Sequence, residues 1–187
     1  MRIAYQGAPG AYSYLAASSR VPGSRTLGLP YFGGVMSAVA VGKVDAGIIP
    51  VYNSIVGDVT AATELLERRD DLEIIEEFEQ RIAHCLLALP GASLDGIRWV
   101  ESHPVALAQC TRWLSSRRLA PRPVEDTAGA ARDIAADRDW TRAAIAPAEA
   151  AERYGLEVLA RDIADSADNR TRFVVVVRRA GRQSVAA

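Results

Sequence analysis

A glycine-rich stretch near the start of the chain and a charged stretch near its end contain residue types that could bind an anion. Residues 6–13 read Gln-Gly-Ala-Pro-Gly-Ala-Tyr-Ser, a turn whose backbone N–H groups could bind an anion at the start of a helix. Residues 168–173 read Asp-Asn-Arg-Thr-Arg-Phe and combine two cations with a hydroxyl and an amide. By itself the first stretch is more typical of an ordinary strand-to-helix turn, because it lacks the spacing of a phosphate-binding loop. The second stretch by itself is more typical of a solvated turn.

Two further stretches place polar side chains where a buried strand ends. Residues 47–54 read Gly-Ile-Ile-Pro-Val-Tyr-Asn-Ser, which presents Asn53 and Ser54 either to a cleft or as a helix cap. Residues 101–104 read Glu-Ser-His-Pro and lead into a helix that contains Gln109. Since His84 is the only other histidine, a histidine-rich metal site is excluded, and the stretch favours a loop histidine with a structural hydrogen bond over a catalytic triad.

Short apolar runs alternate with longer amphipathic ones, which predicts an α/β fold to position these stretches. The patterns predict strands at 3–5, 46–50, 97–100, 143–146 and 173–177, a short strand ending at 124, and strand character throughout 72–89. They predict helices at 13–17, 35–41, 60–68, 104–114, 127–136 and 147–154.

The order of these elements predicts two lobes that share a cleft. Lobe 1 takes about residues 1–80 and returns at 171–187, whereas lobe 2 takes about residues 81–165. The chain would therefore cross between the lobes twice, near 79–81 and near 162–171. A crevice between two such lobes is the expected place for a small ligand.

Composition excludes several classes of function. The chain has 187 residues, 49% of them hydrophobic, and a formal net charge of −1, which is unlike the basic balance of a nucleic-acid-binding protein. No apolar run reaches the length of a membrane span, and no signal-like segment opens the sequence. The two cysteines lie in separate apolar stretches and predict reduced core thiols. We therefore expect a cytoplasmic protein without a metal site.

Taken together and in order, the four stretches resemble the motifs of prephenate dehydratases. That family has Gly-Pro-x-Gly-Thr/Ala-Phe/Tyr-Ser near its start, matched at 7–13, and Gly-x-x-Pro-Ile-Glu-Asn-Ser, matched at 47–54. It also has Ser-His-Pro-Gln-Ala-Leu-Ala-Gln-Cys, matched at 102–110, and Asn-x-Thr-Arg-Phe, matched at 169–173. The resemblance implies a two-lobed α/β fold similar to type-2 periplasmic binding proteins, with the active site in the interlobe cleft.

The resemblance also implies an activity and a set of site residues. Decarboxylation of prephenate would expel the ring hydroxyl as water and give phenylpyruvate, with aromatisation as the driving force, so no cofactor is expected. Thr171 would assist departure of the hydroxyl as a positioned hydrogen-bond donor. The implied catalytic set is Thr171, Asn53 and Gln109, and the implied substrate-binding set is Ser13, Tyr52, Ser54, Ser102, His103, Glu125, Thr127, Arg172 and Phe173.

Three positions depart from the family motifs and keep alternatives open. Tyr52 stands where the family has glutamate, Val105 where it has glutamine, and Asp58 where a small residue is usual. A non-aromatising prephenate decarboxylase is therefore an alternative, although retention of Thr171 favours dehydration. A second alternative is a non-catalytic module that binds small anions. The resemblance further implies a homodimer, and the sequence ends so soon after its last predicted strand that neither an ACT regulatory domain nor inhibition by phenylalanine through one is expected.

Overall fold

The computed structural model describes residues 1–180, which form eleven strands and seven α-helices. In chain order these are β1 (Arg2–Gln6), α1 (Tyr12–Arg20), β2 (Arg25–Leu29), α2 (Phe32–Ala40), β3 (Ala46–Asn53), β4 (Gly57–Asp58), α3 (Thr60–Glu67), β5 (Leu72–Arg81), β6 (Cys85–Ala88), β7 (Trp99–Ser102), α4 (Pro104–Ala108), α5 (Thr111–Ser116), β8 (Ala120–Pro123), α6 (Thr127–Asp137), β9 (Arg142–Ala146), α7 (Ala148–Tyr154), β10 (Glu157–Ala160) and β11 (Arg170–Arg178). A 3-10 turn at Leu94–Gly96 precedes β7.

The strands form two separate sheets. The first has the order β2-β1-β3-β11-β5, with β4 paired to β3, and the second has the order β10-β6-β9-β7-β8. The predicted α/β fold class with two lobes is thereby confirmed.

We propose that the two sheets mark the predicted lobes, with the crossings at residues 82–84 and 161–169. Strand β11 returns from the second sheet and inserts between β3 and β5, antiparallel to both. Residues 181–187, which the sequence assigned to lobe 1, lie outside the described residues.

The return of β11 determines where the cleft residues lie. Because β3 ends where antiparallel β11 begins, Thr171 pairs directly with Asn53 at the end of the first sheet that faces the second. The rest of β11 is a β-branched run, and Val174 and Val176 pack with Ile49 in the core of the first lobe. A buried central strand therefore holds the Thr171 backbone in place.

The stretch 72–89, predicted to have strand character, forms two strands in different sheets, β5 and β6, because the chain passes from one sheet to the other after Arg81. One predicted helix is wrong in extent. The single helix predicted at 104–114 is two short helices, since Asp165 interrupts it. The backbone N–H of Asp165 donates to the Gln109 carbonyl (2.7 Å), and its carboxylate accepts from the Arg112 N–H (3.1 Å) at the start of α5. Strands β2, β4 and β10 were not predicted, because they are short or weakly patterned.

Glu101, from one of the four polar stretches, has a structural role. Its carboxylate is buried in the second lobe and accepts two hydrogen bonds from Arg142, from Nε at 2.9 Å and from Nη2 at 2.7 Å.

We expect Glu101→Ala to lower the free energy of unfolding by about 3 kcal/mol, because a buried ion pair would lose one partner. Urea denaturation would measure the change. The control Asp133→Ala breaks the exposed pair with Arg132 and should stay within about 0.5 kcal/mol of the native protein. An equally small loss for Glu101→Ala would contradict the assignment.

Candidate active site

A cavity of about 430 Å³ lies between the two sheets. It is lined by residues from both lobes and from the first crossing between them. Its polar lining consists of Gln6, Tyr12, Ser13, Asn53, Asp58, His84, His103, Gln109, Glu125, Asp126, Thr127 and Thr171. Gly7 also lines it, and its apolar lining consists of Ala11, Phe32, Pro50, Val56, Val59, Ile82, Val105, Ala106 and Phe173.

The glycine-rich turn closes one side of the cavity. Gly7 and Gly10 have φ angles of 106° and 95°, which side-chain-bearing residues rarely adopt. Helix α1 then begins after Ala11 without a side-chain cap, and the residues at its start, Ala11, Tyr12 and Ser13, line the cavity. Ser13 lies in the first turn of α1 and lines the cavity rather than capping the helix. This end of α1 is suited to a carboxylate.

Three buried amides form a closed ring, and two of them, Asn53 and Gln109, line the cavity. Asn53 Nδ2 donates to Asn169 Oδ1 (2.8 Å), and Asn169 Nδ2 donates to Gln109 Oε1 (2.9 Å). Gln109 Nε2 completes the ring with a longer contact to Asn53 Oδ1 (3.4 Å). All three side chains are at most 7% exposed. Since Asn53 is on β3, Gln109 follows α4 and Asn169 lies in the second crossing, the ring joins both lobes.

Thr171 is attached to this ring as an acceptor. Asn53 Nδ2 lies 3.0 Å from Thr171 Oγ1 and donates to it, while the same amide also reaches the Arg170 carbonyl (3.0 Å). Within residues 1–180 the Thr171 hydroxyl donates to no protein acceptor, so its hydrogen is available to a ligand in the cavity. An O–H group whose oxygen already accepts a hydrogen bond is a stronger donor.

A second branch leads from Gln109 to the helix start. His84 Nε2 lies 2.7 Å from Gln109 Oε1, and His84 Nδ1 lies 2.7 Å from the Tyr12 hydroxyl, which also contacts the Ala83 carbonyl (2.8 Å). Burial lowers the pKa of His84, although the bond to Gln109 opposes this, and burial raises the pKa of Tyr12 well above its usual value. Both groups are therefore neutral near pH 7.

The second lobe contributes the start of two helices to the cavity. His103 Nδ1 accepts from the Val105 N–H (3.2 Å) at the start of α4, which is the structural hydrogen bond favoured for this histidine. Burial lowers the pKa of His103, and the Asp126 carboxylate partly opposes this shift. Asp126 caps α6 by accepting from the Gly129 N–H (2.5 Å), and Thr127 begins that helix.

Four of the twelve site residues expected from the sequence do not line the cavity. Tyr52 and Arg172 pair across β3 and β11, and alternation along the strands turns both away from the face that carries Asn53 and Thr171. There the Arg172 guanidinium lies 5.1 Å from the centre of the Tyr52 ring. Ser54 instead braces the second crossing through the Asp168 carbonyl (3.0 Å), and buried Ser102 donates to the Ile145 carbonyl (2.6 Å).

The other eight expected residues line the cavity: Ser13, Asn53, His103, Gln109, Glu125, Thr127, Thr171 and Phe173. Sequence reasoning missed Gln6, Tyr12, His84, Asp126 and Asn169 as members of the site. Asn169 and Tyr12 belong to the motifs already noted, so their motif positions were an available signal. His84 had no such signal, because it is a single polar residue in an apolar run.

Residues 1–180 contain no group of three or more His, Cys, Asp or Glu side chains that could hold a metal ion. Within the same range, no helix has the length and apolar character needed to cross a membrane.

Two α/β lobes that enclose a buried cluster of amides and a hydroxyl place the chain in the two-lobed fold class similar to type-2 periplasmic binding proteins. The fold agrees with that of lipoprotein Tp32 from Treponema pallidum, at a TM-score of 0.50 and 15% identity over 95% of this chain and 83% of that one. More specifically, the chain belongs to the prephenate dehydratase family, because the sequence model of that family, described as "Prephenate dehydratase", matches residues 3–181.

Relatives of known name agree with this membership. The chain is 40% identical over 178 residues to arogenate dehydratase/prephenate dehydratase 2, chloroplastic, from Arabidopsis thaliana, covering 95% of this chain and 46% of the relative. It superimposes with a TM-score of 0.86 and 32% identity on the prephenate dehydratase from Arthrobacter aurescens, solved in complex with L-Phe, covering 97% of this chain and 61% of that one. The chain thus spans about half the length of the curated plant relative it matches.

Proposed function

We propose that this chain is a lyase that converts prephenate to phenylpyruvate, carbon dioxide and water. The bond from the ring carbon to its carboxylate breaks, its electron pair moves through the ring, and the bond to the hydroxyl on the opposite ring carbon breaks. The departing hydroxyl takes up one proton and leaves as water. Because the ring becomes aromatic, the step requires no cofactor to accept electrons.

The position of the Thr171 hydroxyl is the observation that carries this proposal. Its oxygen accepts from Asn53 Nδ2 at 3.0 Å, and its hydrogen is free to donate into a cavity between the lobes. A preorganised donor at the place where negative charge develops on a leaving oxygen stabilises the transition state. Threonine is too weak an acid to supply the proton unaided, so Thr171 donates a hydrogen bond while the proton reaches the oxygen through water or the substrate.

The remaining lining is consistent with a ring acid. Apolar side chains including Phe173, Ile82 and Val105 offer the ring and its carboxylate a poorly hydrated surface, which favours loss of charge as carbon dioxide. The uncapped start of α1 provides backbone N–H groups for the side-chain carboxylate. The family relationship to the Arabidopsis dehydratase supports the same reaction.

Product analysis tests the proposal directly. The purified protein is incubated with prephenate near neutral pH, and the products are identified by mass spectrometry and ultraviolet absorbance against a buffer control. Phenylpyruvate formed faster than in buffer is the expected result. A product that has lost carbon dioxide but kept its hydroxyl would assign the non-aromatising decarboxylase instead, and binding without turnover of any ring acid would assign the non-catalytic module.

Arogenate is a second candidate substrate, because the cavity is acidic. Asp58, Glu125 and Asp126 line it, whereas among residues 1–180 no Lys or Arg side chain does. Prephenate presents a keto group in its side chain, but arogenate presents an ammonium group there, which these carboxylates would attract. The printed name of the Arabidopsis relative includes both substrates.

Replacement of Asp58 tests this preference. We expect Asp58→Ser, which restores the small residue usual in the family, to lower kcat/KM for arogenate about fivefold relative to kcat/KM for prephenate, since an exposed charge pair contributes up to about 1 kcal/mol. Steady-state kinetics with both substrates measure the ratio. Asp95→Ser, an exposed aspartate of the second lobe outside the cavity, is the matched control. An unchanged ratio in Asp58→Ser would exclude Asp58 as the determinant and leave the dehydratase proposal standing.

A homodimer and a cytoplasmic location stay predictions. Light scattering coupled to size-exclusion chromatography would test the first, and cell fractionation would test the second.

A further inference from the structure

The polar cluster extends past the three amides to two groups that the proposed reaction leaves without a role. Tyr12 and His84 follow Gln109 in a continuous series of contacts at 2.7 Å each. Both lie on the first-lobe side or at the crossing, and His84 is only 2% exposed. A buried histidine with both ring nitrogens occupied has a definite tautomer, so the direction of every hydrogen bond in the series can be worked out.

One end of the series is fixed by the backbone. Asn53 Oδ1 accepts from the backbone N–H groups of Ile55 (3.0 Å) and Val56 (3.2 Å), so this amide must direct its Nδ2 towards Asn169 and Thr171. Asn169 therefore presents Oδ1 to Asn53 and Nδ2 to Gln109. Gln109 in turn must present its carbonyl oxygen to Asn169.

The other end is fixed by His84. The oxygen of Gln109 faces His84 Nε2, so this nitrogen must carry a hydrogen. In a neutral ring Nδ1 is then an acceptor, and the single hydrogen of the Tyr12 hydroxyl is shared between this nitrogen (2.7 Å) and the Ala83 carbonyl oxygen (2.8 Å). With the opposite tautomer, Gln109 would turn its amide N–H towards His84 and oppose the N–H of Asn169. Asn169 would then have to turn as well and confront the Nδ2 of Asn53.

We infer that His84, oriented by Tyr12, is a positioning residue for the reaction proposed above: its Nε2–H holds Gln109 in the one orientation that is compatible with donation from Asn53 to Thr171. The inference rests on the proposed function for its catalytic consequence, but the tautomer itself is a property of the free protein.

Around Tyr12 and His84, hydrogen bonds rather than nearby charges determine the tautomer of His84. The ionisable groups that act most on Tyr12 are Cys85 and Cys110, whose own pKa values are raised by burial. Glu149 acts on Tyr12 more weakly still. Among residues 1–180 no charged side chain hydrogen-bonds to either ring nitrogen of His84.

Nitrogen-15 NMR of histidine-labelled protein tests the tautomer without any substrate. The chain has two histidines, so every imidazole signal of the His103→Gln variant comes from His84. We expect a neutral ring with hydrogen on Nε2 from about pH 7 to about pH 8. A ring protonated on Nδ1 instead, or a fully protonated ring near pH 7, would overturn the inference, even if prephenate is turned over.

Tyr12→Phe tests the catalytic consequence. Loss of the hydroxyl leaves His84 Nδ1 without its donor, so the His84 signals should show a mixture of tautomers, and kcat should fall about 5- to 100-fold with little change in KM. Tyr14→Phe is the matched control, because Tyr14 lies on the same helix and its hydroxyl contacts only Arg153 among residues 1–180. Equal kcat values for Tyr12→Phe and the native protein would overturn the inference.

A pair of His84 variants separates positioning from folding. Glutamine at position 84 keeps an N–H near the place of Nε2, whereas leucine does not. We expect His84→Gln to retain at least about tenfold more kcat than His84→Leu at matched folded fraction, measured by circular dichroism. Equal kcat in the two folded variants would contradict the role of the N–H. If the native protein turns over neither prephenate nor arogenate, the proposed function fails, and the NMR result still decides the tautomer.

Discussion

Thr171→Val is expected to lower kcat for phenylpyruvate formation by a factor of about 10²–10³, the range that one preorganised hydrogen-bond donor contributes. Valine has nearly the volume and the β-branched shape of threonine, so the central strand β11 should accommodate it. The change removes the one hydroxyl that accepts from Asn53 Nδ2 and donates into the cavity. Steady-state assays of phenylpyruvate absorbance measure kcat, and KM should change little, because the lost hydrogen bond forms mainly as the hydroxyl leaves.

Thr171→Ser is the control for this prediction. Serine keeps the hydroxyl but loses the methyl group that restricts its rotamer, so most of the activity should return. Thermal unfolding of both variants shows whether either has lost its fold. If Thr171→Val retained the native kcat, the hydroxyl would have no part in the reaction. If it released carbon dioxide but kept the substrate oxygen, Thr171 would act only in the second bond cleavage.

The sequence was sufficient to predict which segments form the site, because motif segments lie where strands end. Asn53, Gln109 and Thr171 each follow or begin a buried run, and strand ends from two sheets meet at the cleft. The return of the chain to the first sheet was also predictable, since β-branched residues at 173–177 needed a partner sheet formed by earlier strands. These are local patterns that a single sequence carries.

The face on which each residue lies was not predictable from the motifs. Tyr52 and Asn53 are neighbours in the sequence, yet a strand turns one side chain away from the cavity and the other towards it. The register between β3 and β11 was also not predictable, because the pairing of the two strands shifts by one residue between Arg172 and Phe173. Ordinary alternation places Thr171 and Phe173 on the cavity side and Arg172 on the other, whereas the irregularity, which skips Val51, lets Pro50 and Asn53 of β3 both line the cavity.

The hydrogen-bonded cluster was beyond sequence reasoning for a different reason. Asn169, His84 and Gln109 come from two crossings and a helix end that are far apart in the chain, and only the assembled lobes bring Asn169 and His84 within 3 Å of Gln109 Oε1. The positions of the three departures from the family motifs indicate which of them could alter substrate choice. The replacement of the family glutamate by Tyr52 lies outside the cavity, whereas Asp58 and Val105 line it. Changes in substrate choice are therefore expected from the latter two positions.

Asn53→Asp is expected to lower kcat by at least about 100-fold near pH 8 and to recover part of it as the pH falls. Aspartate keeps Oδ1 for the Ile55 and Val56 N–H groups but replaces the donor Nδ2 by an oxygen. That oxygen would face two acceptors, Asn169 Oδ1 at 2.8 Å and the Arg170 carbonyl at 3.0 Å, and it would draw the Thr171 hydroxyl, at 3.0 Å, into donating to it instead of into the cavity. Burial and the two acceptor oxygens disfavour an ionised carboxylate, so the pKa of the introduced carboxyl group should rise above the usual aspartate value of about 3.9.

The pH dependence follows from that shift. Below the raised pKa the acid is protonated and can donate one hydrogen bond to Thr171, which restores part of the donor geometry. Because the unfolded chain ionises at lower pH than the folded variant, the variant should lose stability relative to the native protein as pH rises from about 4 towards 7. Urea denaturation and kcat measured between about pH 5.5 and 8, each corrected for the reaction in buffer, test both effects. Asn53→Ala, which has no ionisable group, should show losses that do not vary with pH. A flat profile for Asn53→Asp as well would mean that its side chain has left the cluster, and that the donation from Asn53 to Thr171 is not what orients the hydroxyl.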